Sequence, residues 1–400
     1  MALMPVADAL GRILDGVRPL PAEAIAISVA AGRVLAVPVV AKRDQPPFRG
    51  SAMDGYAVRH ADVATLPATL LVAGVSAAGH GHRKALQAGQ AIRILTGAPV
   101  PPNADTVVIQ ENTRREGELL TVLNPTTLGK NIRRVALDFA RGDVLLEAGQ
   151  RLRPRDIGLA AAGNAATLQV RRKPHVILFA TGDELVLPGD KPKPDQIISS
   201  NSNAIAAMAE SLGARVTNLG IVKDSLAATK AAVMRGLKGD ILLTTGGASV
   251  GDHDYVQEAF KACGVKIGFW KIAMRPGKPF MYGRKGKVHV MGLPGNPVSA
   301  LVATRLFLKP LIDTMLGLPF EGAARLATLT VAMPANDDRQ DYVRAILETA
   351  ADGRRSVQPF TLQDSSMQRT MQLANALIIR PPHAEKAPVG TLVPVLLLDF

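Results

Sequence analysis

The 400-residue sequence contains a single cysteine, Cys263. One cysteine cannot form an intramolecular disulfide, and it cannot supply the several thiolates of a structural zinc or iron–sulfur site. Because no histidine motif accompanies Cys263, we interpret it as a small buried apolar side chain rather than a nucleophile. Together with the missing secretory signal noted below, the scarcity of cysteine predicts a cytoplasmic protein.

Long hydrophobic runs are also absent. No apolar stretch approaches the roughly 18 residues of a membrane helix, and the first residues lack the basic start and continuous apolar segment of a secretory signal. Hydrophobic residues nevertheless make up 47% of the chain, which is ample for hydrophobic cores. A chain of this length is expected to form about two to four domains.

Aromatic residues are scarce, at 4%, whereas the net charge is +13. An excess of positive charge is typical of proteins that attract nucleic acid, a membrane surface or an anionic small molecule. The one tight basic run is 171–173, and neither a base-stacking motif nor a recognition helix accompanies it. We therefore predict no nucleic-acid or membrane partner, and interpret the charge as a solvated basic surface or, second, as attraction for phosphate and oxyanion substrates.

Two patterns divide the chain. Residues 19–170 are short apolar stretches separated by glycine, proline and asparagine, which indicates a β-rich region. From residue 173 strands and helices alternate, which predicts an α/β domain with a mostly parallel sheet, and after Pro319 short strands return. The predicted strands are 175–180, 216–222, 240–243, 265–272, 287–291, 324–331, 342–347 and 392–398, and the predicted helices are 201–213, 225–237 and 298–315.

Residues 240–256 run from an apolar strand into a turn rich in glycine and hydroxyl groups and then to two acids. Glycine can adopt positive φ and let a ligand approach the backbone, while hydroxyl groups donate hydrogen bonds. The segment therefore predicts a loop for a phosphate and a metal ion. Its polar and glycine residues are Thr244, Thr245, Gly246, Gly247, Ser249, Gly251, Asp252 and Asp254.

Three loops of the α/β region should emerge at the same edge of the sheet, namely 181–184, 244–254 and 292–297. Each alone is equally well explained as an ordinary turn. Ligands of open α/β sheets bind beyond the carboxyl ends of the strands, so three such loops together predict a ligand cavity there.

The start of the helix after Pro297 is a predicted phosphate seat. Proline suits the first helical turn and leaves nearby amides, such as those of Val298 and Ser299, free to face an anion. The helix dipole contributes only about 0.3–1 kcal/mol at an exposed site, so basic side chains must add to it. Lys271, Arg275 and Lys278 are close enough in sequence to do so.

Asp224 precedes the helix that is predicted to begin at Ser225. One interpretation is an N-cap that accepts backbone hydrogen bonds. The other is a Mg²⁺ ligand acting together with Asp254, since Mg²⁺ takes one or two carboxylates plus substrate phosphate oxygens. The two roles do not exclude each other.

Seven segments spread along nearly the whole chain closely resemble the MoeA family, the molybdopterin molybdenumtransferases. The likeness extends more distantly to the gephyrin E domain and the plant molybdenum insertase, and residues 173–315 alone resemble MogA-type adenylyltransferases. The segments are 51–58, 93–100, 104–111, 181–185, 245–255, 275–280 and 292–300.

The resemblance implies an elongated homodimer of four-part protomers. The implied parts are a segmented N-terminal linker domain (1–50 and 140–172), a β-rich second domain (51–139), a MogA-like α/β molybdopterin-binding domain (173–318) and a C-terminal β-barrel-like domain (319–400). The implied site lies between the α/β domain of one subunit and the second domain of the other.

The resemblance also implies an activity. Family members insert molybdate into adenylylated molybdopterin with release of AMP, assisted by Mg²⁺, and thereby form the molybdenum cofactor. Implied partners are a MogA-type adenylyltransferase and downstream molybdoenzyme chaperones. Two alternatives remain open: an adenylyltransferase that acts on molybdopterin with ATP, and a non-catalytic, gephyrin-like scaffold.

Functional positions follow from the same resemblance. Asp54 and Glu184 are implied to orient water or relay protons, and Lys271, Arg275 and Ser299 to attract molybdate. The implied catalytic set is Asp54, Thr96, Asp138, Glu184, Lys271 and Arg275, the metal ligands are Asp224 and Asp254, and the substrate-binding set is Gly246, Gly247, Ser249, Gly251, Lys278, Pro294, Gly295, Asn296, Pro297 and Ser299.

The chain departs from the family pattern at three places. Ala136 and Leu137 stand where the family often has Gly-Glu, so that a flexible residue and a negative charge are missing. Arg275 replaces a lysine of some members, and a guanidinium binds an oxyanion more rigidly than an ammonium. Ser200 replaces an aspartate that some relatives carry.

Overall fold

A computed structural model describes residues 3–246, 255–319 and 324–398 of the chain. Within these ranges no helix combines the length and the apolar character needed to cross a bilayer. A π-helical stretch, Thr304–Leu308, joins the sixth and seventh helices. The α-helices are α1 (Val6–Leu14), α2 (Pro154–Ala162), α3 (Asn201–Ser211), α4 (Leu226–Gly236), α5 (Tyr255–Ala262), α6 (Pro297–Ala303), α7 (Lys309–Leu316) and α8 (Gln368–Leu373).

Strands make up most of the remaining regular structure. They are β1 (Ala22–Ala26), β2 (Val39–Val40), β3 (Gly50–Ser51), β4 (Gly55–Val58), β5 (Ala68–Ser76), β6 (Gln90–Ile94), β7 (Thr106–Ile109), β8 (Thr113–Glu116), β9 (Leu119–Val122), β10 (Ile132–Arg133), β11 (Val144–Leu146), β12 (Thr167–Arg171), β13 (His175–Thr181), β14 (Leu185–Val186), β15 (Ile197–Ile198), β16 (Arg215–Val222), β17 (Ile241–Thr245), β18 (Lys266–Trp270), β19 (Met274–Arg275), β20 (Met281–Lys285), β21 (Val288–Leu293), β22 (Arg325–Leu329), β23 (Gln340–Thr349), β24 (Arg355–Pro359), β25 (Ala376–Arg380) and β26 (Leu392–Leu397).

The chain folds into two compact units. The larger unit contains residues 1–23, 32–36 and 171–400, and the smaller unit contains residues 24–31 and 37–170. The four-part division implied by the family resemblance is finer than this and stays a prediction.

The larger unit is built on a six-stranded sheet with the order β16-β13-β17-β21-β20-β18. The first four strands are parallel neighbours, and β20 and β18 extend the sheet in antiparallel pairs. Alternate residues of β17 enter opposite cores, so that Leu243 packs with α3 and Leu242 packs with α4 and α5. Burial on both faces explains why the central strands are continuous apolar runs, and the predicted α/β region is confirmed.

A closed five-stranded barrel lies in the C-terminal part of the larger unit. Its strands follow the order β23-β24-β22-β26-β25, and β25 also pairs with β23, which closes the ring. The short strand β19 adds to β23 in parallel, placing Met274 opposite Gln340 and Arg275 opposite Asp341. The prediction of a C-terminal β-barrel is therefore confirmed.

The smaller unit contains a second six-stranded sheet, with the order β7-β4-β6-β5-β9-β8. A loop covers the outer edge of β7: the Val107 N–H donates to the Lys130 carbonyl oxygen over 3.0 Å, and the Asn131 side-chain amide donates to the Val107 carbonyl oxygen over 2.9 Å. The predicted β-rich character is confirmed. Helix α2 was not predicted, although Pro154 at its first position and the Asp156 carboxylate, which accepts from the Arg153 N–H over 2.8 Å, are ordinary helix-start features.

Candidate functional site

The ends of three parallel strands bring the predicted loops together. Strands β13, β17 and β21 are neighbours, and the register places Ala180 beside Thr245 and Thr245 beside Leu293. The segments that follow Thr181, Thr245 and Leu293 therefore leave the sheet at one edge. This confirms the shared edge for the residues that the structure describes.

A cavity of about 420 Å³ opens at this edge. Polar groups from the strand ends and from the turn before α6 form much of its wall. We call it the strand-end cavity. Its lining residues are Thr181, Glu184, Leu185, Ile197, Ile198, Ser199, Ser200, Asn201, Thr245, Gly246, Gly295, Asn296, Pro297, Ser366 and Gln368.

Gly246 makes the tightest turn on this wall. Its φ is +87°, and a Cβ atom placed there would lie 2.4 Å from the carbonyl oxygen of Thr181. Only glycine fits without displacing backbone, which supports its predicted place beside a ligand. The hydroxyl of Thr244 is buried and has no hydrogen-bond partner among the described residues, and its predicted donor role stays a prediction. Residues Gly247, Ser249, Gly251, Asp252 and Asp254 lie outside the described residues.

The turn before α6 is held from both sides. The side-chain amide of Asn201 donates to the Gly295 carbonyl oxygen over 2.6 Å, and that of Asn296 donates to Ser365 Oγ over 2.8 Å. Pro297 is the first residue of α6, as predicted. The Val298 N–H donates to the Ser365 carbonyl oxygen over 3.1 Å, however, so the prediction that this amide is free for a phosphate is wrong.

Three other predicted residues of this region lie off the cavity. Pro294 and Ser299 are buried behind the turn, and Lys278 is exposed. None of the three is part of the cavity wall. Their predicted roles in ligand binding stay predictions.

Three acidic side chains gather beside the end of β13. The Glu184 carboxylate folds over Gly182, where an added Cβ would lie 2.5 Å from Oε2. Asp183 and Asp224 bind each other reciprocally, because the N–H of each donates to a carboxylate oxygen of the other over 3.3 Å. Sequence reasoning missed Asp183. The N-cap of α4 is Ser225, whose Oγ accepts from the Ala228 N–H, so the N-cap interpretation of Asp224 is wrong.

The donor set at this edge fits Mg²⁺ in chemical terms. Mg²⁺ is bound by one or two carboxylates plus phosphate oxygens and water, and Asp183 and Asp224 place two carboxylates side by side. In the described ranges no three metal-ligating side chains converge. The predicted ligand Asp254 lies outside these ranges.

Lys271 and Arg275, the predicted anion-binding cations, are engaged by other groups. The Lys271 ammonium lies 4.5 Å from the ring centre of Trp270. The Arg275 guanidinium donates to Asp337 over 3.1 Å, to Asn336 over 3.2 Å and to Asp341, and the hydrogen bond that it donates to Asp341 is the main cause that raises the pKa of Arg275. Arg275 lines a separate cavity of about 510 Å³ beside the barrel rather than the strand-end cavity.

Asp54 and Thr96 meet in the smaller unit. The Thr96 hydroxyl and backbone N–H both donate to Asp54 Oδ1, each over 2.7 Å, and these two bonds, with the nearby Arg93 charge, hold the pKa of Asp54 below its usual value. Arg93 is itself fixed by the Gly55 carbonyl oxygen and lies 5.1 Å from the ring centre of Tyr56. The carboxylate is therefore exposed, ionised and fixed in direction.

Comparisons with known proteins show which families the chain matches. Residues 4–163 match the MoeA N-terminal region (domain I and II), residues 177–314 match a probable molybdopterin binding domain, and residues 326–398 match the MoeA C-terminal region (domain IV). A molybdopterin molybdenumtransferase of Bacillus subtilis is 34% identical over 406 residues, which cover 99% of this chain and 94% of that relative. The chain belongs to the MoeA family.

Other relatives lead to the same family. A molybdopterin molybdenumtransferase of a Nostoc species is 39% identical over 304 residues, covering 74% of this chain and 70% of that relative. The crystal structure of a molybdopterin biosynthesis MoeA protein from Pyrococcus horikoshii superposes with a TM-score of 0.87 at 28% identity, with all of both chains covered.

Ala136 stands where the family resemblance implies a glycine. Its φ is +53°, a left-handed conformation that favours glycine. The Asp138 side chain that follows is exposed, and its N–H donates to the Gln45 carbonyl oxygen over 2.9 Å.

Several cavity residues of this MoeA-family chain carried no signal in the sequence. Asn201 was predicted only as the start of a helix and Ser200 only as a departure from the family pattern, and Ser199, Ser366 and Gln368 were not singled out. The last two belong to the C-terminal barrel region, 121 residues or more beyond Thr245 in the chain, and only the folded structure places them on the cavity wall.

Proposed function

We propose that this protein inserts molybdate into adenylylated molybdopterin and releases AMP, forming the molybdenum cofactor. The observation that supports this most directly is the strand-end cavity, whose walls include residues of three loops that carry MoeA-family segments. The curated relatives that bear the name molybdopterin molybdenumtransferase match over nearly the whole chain, not over the α/β region alone.

The cavity would hold the pterin nucleotide. Gly246 leaves room for the substrate to approach the backbone of β17, and the fixed turn of Gly295 and Asn296 forms the facing wall. Gly247, Ser249 and Gly251 belong to the proposed substrate-binding set. Glu184 lines the cavity and is our candidate for orienting water or relaying a proton.

Molybdate would be attracted by Lys271, Arg275 and Ser299, and Lys278 would contribute to substrate binding. Hydrogen bonds from a guanidinium to an oxyanion are charge-assisted and directional. Arg275 holds two carboxylates, of which Asp337 is 41% exposed and Asp341 only 12%. An incoming oxyanion would therefore displace Asp337 at lower cost than Asp341.

Asp224 and Asp254 would hold Mg²⁺, with Asp183 as a neighbouring carboxylate. When bound, the ion would supply positive charge at the phosphoanhydride oxygens and so favour departure of AMP. A homodimer, in which a second copy supplies Asp54 and Thr96, is part of the same proposal, as are the role of Asp138, the MogA-like character of residues 173–315 and a cytoplasmic location.

The test is to incubate the purified protein with adenylylated molybdopterin, molybdate and Mg²⁺ and to follow AMP by chromatography. We expect AMP release that depends on molybdate. If the substrate stays intact and bound without such release, the proposal is wrong. A parallel reaction with molybdopterin and ATP distinguishes the adenylyltransferase alternative, which would consume ATP.

A further inference from the structure

We propose that Gln368 recognises the hydrogen-bonding edge of a nitrogen heterocycle of the substrate in the strand-end cavity. This inference rests on the proposed function and deepens it. It starts from residues 363–368, which follow β24 and end at the first residue of α8, and which we call the barrel segment. Two of its residues, Ser366 and Gln368, line the cavity.

A buried arginine anchors the base of the barrel segment. Arg344 is only 1% exposed, and its N–H and Nε both donate to the Gln363 side-chain oxygen, over 3.0 and 3.3 Å. Its guanidinium also donates to the Met367 carbonyl oxygen over 3.3 Å. The Gln363 side-chain amide returns a hydrogen bond to the Arg344 carbonyl oxygen over 3.0 Å. The segment is thus fixed at two points to the barrel.

The turn inside the barrel segment is fixed as well. Asp364 Oδ1 accepts from the Ser366 N–H over 2.8 Å and from the Ser366 hydroxyl over 2.5 Å. The Met367 N–H donates to the Asp364 carbonyl oxygen, and the Gln368 N–H donates to the Ser366 carbonyl oxygen. These bonds set the direction in which Gln368 leaves the backbone.

Three hydrogen bonds join the barrel segment to the cavity wall. Ser365 accepts from the Asn296 side chain and from the Val298 N–H, and the Gln368 side-chain amide donates to Ser200 Oγ over 2.6 Å. The contact to Val298 occupies an amide that would otherwise face the ligand. The barrel segment is therefore a built part of the cavity wall.

The chemistry of Gln368 decides what it could bind. A primary amide has two N–H donors and an oxygen with two lone pairs, and the contact with Ser200 uses one donor. The second donor and the oxygen form an adjacent donor–acceptor pair, which matches heteroaromatic edges where an amino group adjoins a ring nitrogen or oxygen. Pterin and adenine both present such an edge.

The experiment measures binding of three probes by titration calorimetry: 6-hydroxymethylpterin, AMP and adenylylated molybdopterin. We expect Gln368→Ala to raise the dissociation constant of the full substrate by roughly thirtyfold, the effect of two lost neutral hydrogen bonds. The smaller probe, 6-hydroxymethylpterin or AMP, whose dissociation constant rises in parallel identifies which heterocycle Gln368 recognises. Gln358→Ala is the matched control, because Gln358 is exposed on β24 of the same barrel. This variant should bind all three probes as the wild type does.

Gln368→Glu separates recognition from structure. A carboxylate at 368 can accept a hydrogen bond from the Ser200 hydroxyl and so keeps the contact to the wall, but it lacks the amide donor. We expect weakened binding of the uncharged pterin probe or of AMP in this variant, with thermal unfolding unchanged. Recovery of wild-type binding would show that Gln368 is only structural and would overturn the inference.

Failure of this inference differs from failure of the proposed function. If the wild type releases AMP but Gln368→Ala binds all probes normally, only the inference is wrong. If the wild type binds the probes through Gln368 but releases no AMP, the inference stands and the proposed reaction is wrong. If the wild type binds none of the three probes, the recognition role is overturned.

Discussion

Thr96 donates two hydrogen bonds to a single carboxylate oxygen of Asp54, one from its hydroxyl and one from its backbone N–H, each 2.7 Å long. Both bonds favour the ionised carboxylate and lower its pKa. Because the pair is exposed, it is available to a ligand. Thr96 therefore controls the charge and the direction of Asp54 together.

We expect Thr96→Val to raise the pKa of Asp54, because the variant loses the hydroxyl donor but keeps the N–H donor. If ionised Asp54 takes part in the reaction, the acid limb of the pH profile of AMP release should move to higher pH. Thr96→Ser keeps both donors and should retain the wild-type profile. Identical profiles for all three proteins would contradict a role for this carboxylate.

Gly246→Ala should destabilise the protein by about 2 kcal/mol, because a residue with a side chain is strained at positive φ and the new Cβ would press on the Thr181 carbonyl oxygen. Urea unfolding measures the change. Gly295→Ala is the matched control on the same cavity, since its Cβ would lie 3.8 Å from the nearest atom. Equal losses in the two variants would show that the contact with Thr181 is not the cause.

Arg275→Met should lower the free energy of unfolding by about 2 kcal/mol, because Asp341, whose side chain is only 12% exposed, loses its charged donor. Screening at the half-exposed guanidinium keeps the loss below that of a fully buried pair. Arg275→Lys should lose less unfolding free energy than Arg275→Met, since lysine keeps the positive charge although it lacks the planar set of guanidinium donors.

Asp337→Asn tests the other side of the Arg275 cluster. Asp337 is far more exposed than Asp341, so we expect little change in unfolding by urea. A loss as large as that of Arg275→Met would mean that the exposed pair, rather than Asp341, stabilises this part of the chain.

His289 predicts a pH dependence of stability. The side chain is 2% exposed and lies 2.9 Å from the Tyr282 hydroxyl, and burial lowers its pKa from 6.5 to about 4. Between these values the unfolded chain takes up a proton and the folded chain does not. Stability should therefore fall by about 3 kcal/mol as the pH drops from 6.5 to about 4.

The control for this pH dependence is His289→Gln, which cannot titrate. The difference in unfolding free energy between the wild type and this variant should narrow as the pH falls through the same window. A difference that stays constant with pH would show that His289 does not carry the effect.

Many strands and helices of the larger unit could be predicted because they depend on residues close together in the sequence. Strands such as β13 and β17 are buried on both faces, so their apolar runs are visible in sequence, and the turn residues at their ends follow directly. The helix predicted over 298–315 appears as α6, the π-helical stretch and α7 in continuous succession. Strand β20 was missed because its short run, Met-Tyr-Gly-Arg-Lys, is neither alternating nor uniformly apolar.

The missed parts of the site depend on contacts distant in sequence. Asp183 is recognisable only when β13 and β16 bring it beside Asp224, and Gln368 only when the barrel brings it beside Ser200. The Val298 amide looked free because its acceptor, Ser365, lies 67 residues further along the chain. A local sequence pattern can indicate one residue of such a contact, whereas its partner is known only from the folded structure.

The loop over β7 covers a strand edge that would otherwise be open to backbone pairing with other molecules. An exposed strand edge invites pairing with another molecule, and charged side chains are one defence, as on β8 with Arg114, Arg115 and Glu116. Strand β7 has the sequence Thr-Val-Val-Ile and carries no charge. Its edge is covered instead by the hydrogen bonds between Val107 and residues 130–131. Shortening this loop would leave a bare apolar edge from which aggregation could start.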